Sequence, residues 1–395
     1  MFVISFETHR INFFKNKIQF NRNEISGAFG DIGTDLPLIL GMILAAQIDG
    51  ASVFIVYGIM QLFSGFAYGI PMAVQPLKAI ATIVIAKNLS GDILFASGLI
   101  VGLIMLFFTL TGLVKFLSKV IPTSVIKGVQ FGLALTLANI ALGKYIFQNF
   151  NFQFFILIVG ALILGIIFLG NRKYPPAYFI LGLGLVFSLF FYSDLTFSVF
   201  DKFTFVLPEF HVPNNEVFFE ALVLLALPQI PLSIGNSILA SNQIVNDLFP
   251  EKKIKINKIS FTYSIMNIIS PFFGGIPVCH GSGGLVGHYN FGARTGGSVV
   301  FYGIVFLLIG LFFSSGIQNF FYLIPIQILG VILLFESFSM IKLLKIHTLN
   351  RLEIYIIILV GLIAFFVPYG FLVSMIVGTF MFNFYAKKSS LSHEK

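Results

Sequence analysis

Apolar runs about as long as a bilayer is thick follow one another almost without pause from residue 24 to residue 386, and no other feature restricts the fold as much. A helix needs roughly 20 predominantly apolar residues to cross the hydrocarbon core. Long runs stand at 24–47, 51–68, 92–114, 121–143, 151–170, 176–193, 216–240, 258–273, 297–314, 320–341, 352–368 and 369–386. Two more, 69–87 and 274–291, are interrupted by Gly and Pro, which brings the expected total to about fourteen. With 57% hydrophobic and only 10% charged residues, a soluble chain could not cover its own surface, so the class is an all-α polytopic membrane protein. A single cysteine, Cys279, excludes an internal disulfide and a multi-thiolate metal site, and no metal or cofactor is expected.

The first 24 residues mix apolar and basic side chains without a clean apolar core or a small-residue cleavage site, and they read as a cytoplasmic tail. Charge placement then orders the spans, because cytoplasmic loops collect Lys and Arg. With the N-terminus inside, that side gathers Arg10, Lys15, Lys17 and Arg22, then Lys115, Lys119 and Lys127, then Arg172 and Lys173. Lys252, Lys253, Lys255 and Lys258 follow, then Arg294, then Lys342, Lys345 and Arg351, and finally Lys387, Lys388 and Lys395. Lys87, Lys144 and Lys202 fall outside, and Lys78 lies in the membrane. The net charge of +8 is thus topology and not a nucleic-acid footprint. The expected location is the cell inner (plasma) membrane, with both termini cytoplasmic.

The tripeptide Gly-Ile-Pro occurs at 69–71 and again at 275–277, 206 residues apart, and "VIPTSVIKGV" at 120–129 has a partner in "LIPIQILGVI" at 323–332. Two landmarks at nearly one offset argue for duplication. The expected organisation is a tail at 1–23, a first seven-segment repeat at 24–193, an extracytoplasmic linker at 194–215, a second seven-segment repeat at 216–386 and a tail at 387–395. Seven is odd, so the halves run in opposite orientations. Inverted repeats with helices broken at matching positions mark secondary transporters, whose substrate sits between the breaks.

Within "AYGIPMAVQPLKAIATIVIA", residues 69–75 read as an extended lead, with Pro76 at the first turn of a half-helix where its missing donor is harmless. The second half repeats the device in "FGGIPVCHGSGGLVGHYNFGA". Two half-helix N-termini facing each other at mid-membrane offer amide donors and partial positive charge, a setting for an anion. Lys78 adds a full charge one turn into the first half-helix. Gln75, Pro76, Lys78, His280, Gly281, Ser282, Gly283 and Gly284 are therefore candidate substrate ligands, while Cys279 reads as packing. On segment one, Gly27, Gly30 and Gly33 form a smooth face for close approach to the half-helices. Thr34 joins the substrate candidates there, and Asp31 and Asp35 are carboxylates inside a span, which must face protein or water. The matching segment "LALPQIPLSIGNSILASN" carries neutral groups instead, Gln229, Ser233, Asn236 and Ser237, of which Gln229 and Asn236 complete the substrate set. Glu336 is the remaining intramembrane acid, expected near Lys342 or Lys345. Asp31 is the first candidate to carry a coupling proton, with Asp35 and Glu336 behind it.

The segments "SGAFGDIGTDLPLILGM", "GIPMAVQPLKAIA", "LPQIPLSIGNSI" and "GGIPVCHGSGGLVGHYNFGARTG" resemble the signature segments of the molybdate transporter family, related to the sulfate permeases. The resemblance spans both repeats, roughly residues 24 to 380. It implies the seven-plus-seven inverted-repeat fold shared with the uracil permeases, divided into a core domain that carries substrate and a gate domain that does not. Asp35 departs from the aromatic or aliphatic residue of many relatives, and segment eight has no acid of the kind that couples protons in related permeases.

The function expected is secondary active transport of a tetrahedral divalent oxyanion, molybdate first and sulfate next, by alternating access. The alternatives are a nucleobase or other anion permease of the same fold and a passive anion channel. A nucleobase site calls for acids beside the half-helices, and none stands at Gln229 or from Cys279 to Gly284. No nucleotide-binding motif occurs, and an intramembrane aspartyl protease lacks a second Asp motif to pair with Asp31, so an enzyme is not expected. The partners are the oxyanion and membrane lipid, with room for a co-transported proton and a homodimer.

Overall fold

The computed structural model describes residues 18–114, 116, 122–148, 151–168, 176–192, 205–252, 254–312, 323–342, 344 and 349–393, with side chains to 385. The tail up to residue 17, the linker up to 204 and the charges Lys115, Lys119, Arg172, Lys173, Lys202, Lys253 and Lys345 lie outside them. So do the side chains of Lys387, Lys388 and Lys395.

The first half runs α1 (Arg22–Ala28), α2 (Ile32–Ala46), α3 (Gly50–Tyr68), β1 (Val74–Pro76), α4 (Lys78–Lys87), α5 (Gly91–Thr111), α6 (Thr123–Ile146), α7 (Phe152–Ile167) and α8 (Pro176–Phe191). The second half runs α9 (Asn215–Leu248), α10 (Ile256–Ile269), β2 (Val278–His280), α11 (Ser282–Asn290), α12 (Gly297–Phe312), α13 (Ile326–Lys342), α14 (Arg351–Phe366) and α15 (Gly370–His393). Among the described residues five helical stretches are long and apolar enough to cross a membrane: Arg22–Ala46, Gly50–Tyr68, Gly91–Thr111, Thr123–Ile146 and Asn215–Leu248. Phe152–Ile167, Pro176–Phe191, Gly297–Phe312 and Gly370–Tyr385 are shorter apolar helices.

Helices of the two halves interlock. α3 packs along α12, α5 along α10, and α1 lies against α11 and α12. A side chain at Gly58 would meet the Gly303 carbonyl at 2.7 Å, and one at Gly303 would meet the Gly58 carbonyl at 2.7 Å, so α3 and α12 cross with backbones nearly touching. α6, α7, α8, α13, α14 and α15 form a second group, with α6 against α14 and α13. Side-chain caps start several helices: Asn21 for α1, Asp49 for α3, and a reciprocal Asn350–Glu353 box for α14, each contributing about 1 kcal/mol.

The two breaks meet as a two-stranded antiparallel sheet, in register Val74–His280, Gln75–Cys279 and Pro76–Val278. Backbone groups at membrane depth must be satisfied by protein, and this pairing does so. It also corrects two expectations. Pro76 ends the strand and does not open the helix, because pairing with Val278 keeps the chain extended to that point and the Leu77 N–H donates to Pro277 O at 3.0 Å. α4 therefore begins at Lys78 itself, which lies at the mouth of the half-helix and not one turn within it.

Candidate functional site

Each strand is held from behind by a side-chain amide. Gln61 Nε2 donates to Val74 O at 2.7 Å and Gln61 Oε1 accepts from Val74 N at 3.0 Å. In the second half Asn267 Nδ2 donates to Val278 O at 2.6 Å and Asn267 Oδ1 accepts from Val278 N at 2.9 Å. Hydroxyls add a second tie at matching places: Ser64 Oγ to Met72 O at 2.5 Å, and Ser270 Oγ to Ile276 O at 2.9 Å. The signal was in the sequence, since "IMQLFSGFAYGIP" at 59–71 and "IMNIISPFFGGIP" at 265–277 align at the same 206-residue offset as the tripeptide.

Successive strand residues point to opposite faces, and here that decides which residues can meet a ligand. Gln75 and Cys279, paired across the sheet, both line a cavity of about 440 Å³. Val74, Val278 and His280 face away from it. His280 is fully buried, with Nε2 2.8 Å from Thr262 Oγ1, the Tyr68 ring edge-on at 5.1 Å, and its carbonyl accepting from Ser241 Oγ at 2.9 Å. The histidine expected among the substrate ligands thus packs behind the sheet, away from the cavity, whereas Cys279 reaches the cavity wall.

The cavity brings together Gln75, Lys78, Gln229, Asn236, Gly281, Ser282 and Gly283 of the expected set. Pro76, Gly284 and Thr34 are not among its lining residues. Gly284 instead gives room to an acid, since a side chain there would press on Asp31 Oδ2. Asp31 is buried and accepts from Gln75 Nε2 at 2.5 Å. The close approach expected of segment one is present: a side chain at Gly30 would overlap the Gly287 backbone, and one at Gly27 the Ala293 methyl. Asp35 is fully buried beside Tyr57 and Tyr302.

Glu336 requires a correction. Its partner is Lys78, with Nζ 2.5 Å from Oε1, while Thr34 Oγ1 donates to Oε2 at 3.2 Å. α13 carries Glu336 past the start of α4 and the first turn of α2, so the acid meets the membrane lysine before Lys342, and Lys345 lies outside the described residues. Thr34 and Glu336 line a separate cavity of about 220 Å³ between α2, α8 and α13.

Gln229 binds protein. Its Oε1 accepts from the N–H groups of Ala79 and Ile80 at 3.2 and 3.4 Å, capping α4 from the side, and its Nε2 donates to Ser233 Oγ at 3.1 Å. Pro228 and Pro231 remove two donors from α9, and the helix widens into π turns at Leu222–Ala226 and Ser233–Leu239. Asn236 and Ser237 reach the cavity from the second widened turn.

Thr123, Lys127 and Gln130 of α6 and Met340 of α13 complete the opposite wall. Sequence reasoning placed Lys127 among the cytoplasmic charges, where nothing distinguished it from its neighbours. Glu24, also missed, is buried and accepts from the N–H groups of Arg294, Thr295 and Ser298 at 2.8, 2.9 and 3.1 Å, fixing the turn after α11. Among the lining residues Lys78 and Lys127 are charged, and no carboxylate is present.

A family model described as "Molybdate transporter of MFS superfamily" matches residues 23–137 and 221–340, more than half of the chain. Molybdate transporter 2 of Arabidopsis thaliana is 32% identical over 366 residues, covering 80% of this chain and 78% of that one. Molybdate transporter 1 of the same plant is 30% identical over 357 residues, with coverage of 80% and 78%. Among solved structures, the transmembrane domain of the cyanobacterium bicarbonate transporter BicA superposes with a TM-score of 0.68 at 19% identity, covering 92% of this chain and 99% of that one. Murine Solute Carrier 26 family member A9, an anion transporter in the inward-facing state, gives 0.69 at 13% identity, covering 94% and 69%. The fold is thus the mostly helical membrane fold of the BicA and solute carrier 26 proteins. Sequence likeness on both sides of the paired breaks settles the rest: the chain belongs to the molybdate transporter family.

Proposed function

We propose that this protein is a secondary active transporter of a tetrahedral divalent oxyanion, molybdate first and sulfate next, which binds in the 440 Å³ cavity beside the paired breaks. The observation that carries the reading is the chemistry of the lining: two lysines, neutral amides and hydroxyls, no carboxylate, and the start of α11 with no capping side chain. A dianion gains there from charge-assisted bonds to Lys78 and Lys127 and from the first backbone donors of α11. A nucleobase would find no acid to pair with its ring N–H groups. The names of the plant relatives point the same way.

Lys78 and Glu336 supply a way to link binding to movement. Lys78 stands on α4, whose packing partners include α2 and α9; Glu336 stands on α13, in the group formed with α6 and α14. An arriving dianion competes with Glu336 for Lys78, and breaking that pair releases one tie between the groups. Thr123 and Lys127 line the cavity at the end of α6 that the charge pattern assigns to the cytoplasm, which supports entry of the oxyanion from that side. Alternating access then carries the site to the other face, with the seven-plus-seven repeat providing the second arrangement.

The test is uptake of labelled molybdate into proteoliposomes, with tungstate, sulfate, bicarbonate and uracil as competitors. Saturable uptake blocked by tungstate, more weakly by sulfate and not by uracil is expected. Competition by uracil, or a flux that never saturates, would replace this reading with a nucleobase permease or a channel.

A further inference from the structure

Asp35 belongs to neither cavity. Its Oδ2 lies 2.6 Å from Tyr57 Oη and 3.3 Å from Tyr302 Oη, while its buried Oδ1 has no hydrogen-bond partner. Tyr57 Oη also lies 2.6 Å from Val74 O. A phenol has one proton to donate, so it can serve the carboxyl or the carbonyl but not both. Two oxygens at 2.6 Å with no proton between them repel, so the line Asp35–Tyr57–Val74 is one proton short if Asp35 is ionised. Gln61 Nε2 already donates to Val74 O and leaves the deficit untouched. A neutral Asp35 closes it: the acid donates from Oδ2 to Tyr57, and Tyr57 donates to Val74. The same assignment accounts for the bare Oδ1, which is tolerable as the carbonyl oxygen of an acid and costly as half of a buried carboxylate.

We infer that Asp35 is a proton-binding site, occupied in this state, whose proton sets how β1 is held and thereby how Gln75, which borders the oxyanion cavity, is placed between that cavity and Asp31. On loss of that proton to water, Tyr57 turns its hydroxyl to the carboxylate and Val74 O keeps only the Gln61 donor. The next residue along the strand, Gln75, holds Asp31 and lines the cavity. The titratable groups that face Asp35 are Asp31 on its own segment, Tyr57 on α3, Lys78 on α4 and Tyr302 on α12. Tyr178 on α8 and Glu336 on α13 stand on the other helices packed against α2. A proton at Asp35 removes one negative charge from a cluster that a dianion must approach, so proton and oxyanion favour each other, and by linkage each raises the other's affinity equally. This rests on the oxyanion reading of the cavity.

The test uses the purified full-length chain and two readouts. Infrared spectroscopy of the wild type at neutral pH should show a carboxylic-acid carbonyl band that disappears in Asp35→Asn. Molybdate binding across pH should tighten as pH falls, by up to about tenfold per pH unit for one linked proton. Asp35→Asn, whose amide donates to Tyr57 as the acid does, should bind with the wild-type low-pH affinity at every pH. Should that variant not fold, Tyr57→Phe cuts the line between acid and strand while leaving the titrating charge, and its affinity should follow pH less steeply than the wild type. An absent acid band, or a wild-type pH slope in either variant, overturns the inference. A wild type that shows the Asp35 band yet binds no molybdate at any pH refutes the oxyanion reading and leaves the proton site standing.

Discussion

At the start of α4 the donors of Ala79 and Ile80 are occupied by Gln229, and the first helical residue is a lysine already paired with Glu336. At the start of α11 the same positions are Ser282, Gly283 and Gly284, with no side-chain cap and open space beside Gly283. The two half-helices share a lead, a strand and an amide clamp, and both starts border the cavity, yet the donors of one are taken by a side chain and those of the other are not. The matching leads and clamps account for the shared scaffold, and the divergence of the two starts underlies the proposed oxyanion site. The first supplies charge and the second supplies room.

Filling the empty start should have the largest effect. Gly283→Val adds a branched side chain where a Cβ meets nothing within 4 Å, so the chain should fold and the added volume should enter the cavity. Molybdate affinity measured on the purified variant is expected to fall more than about a hundredfold, a loss of about 3 kcal/mol or more. Wild-type affinity in a folded Gly283→Val protein would move the ligand away from α11.

Removing the charge from the filled start comes next. Lys78→Ala should weaken molybdate binding about ten- to a hundredfold, matching a charge-assisted bond of about 1.5–3 kcal/mol. It also strands Glu336 without its cation, which by itself costs stability. The double variant Lys78→Met with Glu336→Gln removes both charges, and should regain thermal stability but not affinity. Recovery of affinity in the double variant would show that Lys78 serves only to neutralise Glu336.

How much of this was legible follows from what each signal encodes. The breaks were readable because Gly and Pro inside an apolar run have few other uses, and the cavity's inner wall followed from them. The sense of His280 and Cys279 was not, because both lie in the same short segment and only the strand register, Val74 against His280, tells which one faces in. Lys127 was hidden by its company: a lysine near a helix end satisfies the charge rule whether or not it borders a site. The Lys78–Glu336 pair joins residues 258 apart in the chain, and no local pattern announces such a contact.

Gln229→Ala sharpens the comparison by making the two starts alike. Uncapping Ala79 and Ile80 should cost about 0.5–2 kcal/mol of stability, read as a lowered Tm in detergent. Molybdate affinity should change less than threefold, since the nearest donors of Gln229 are spent on Ser233. A clear gain in affinity would show that the anion uses the start of α4 once the cap is gone, and that Gln229 is its competitor.

A loss of affinity smaller than at Gly283 or Lys78 is expected at Ser282, and it tests whether the open start works through its backbone or its side chain. Ser282 is the first helical residue of α11 and borders the cavity, so its hydroxyl and its N–H can both approach an oxyanion. Ser282→Ala deletes the hydroxyl and leaves the backbone donors, with a loss of about 0.5–1.5 kcal/mol, or roughly two- to tenfold in Kd. Ser282→Pro deletes the N–H as well while remaining compatible with a first helical position, where proline's fixed φ suits the chain. If the backbone carries recognition, the proline variant should lose clearly more affinity than the alanine variant at similar Tm. Equal losses would assign the contact to the hydroxyl alone, and the contrast between a capped and an uncapped half-helix would then describe packing and not binding.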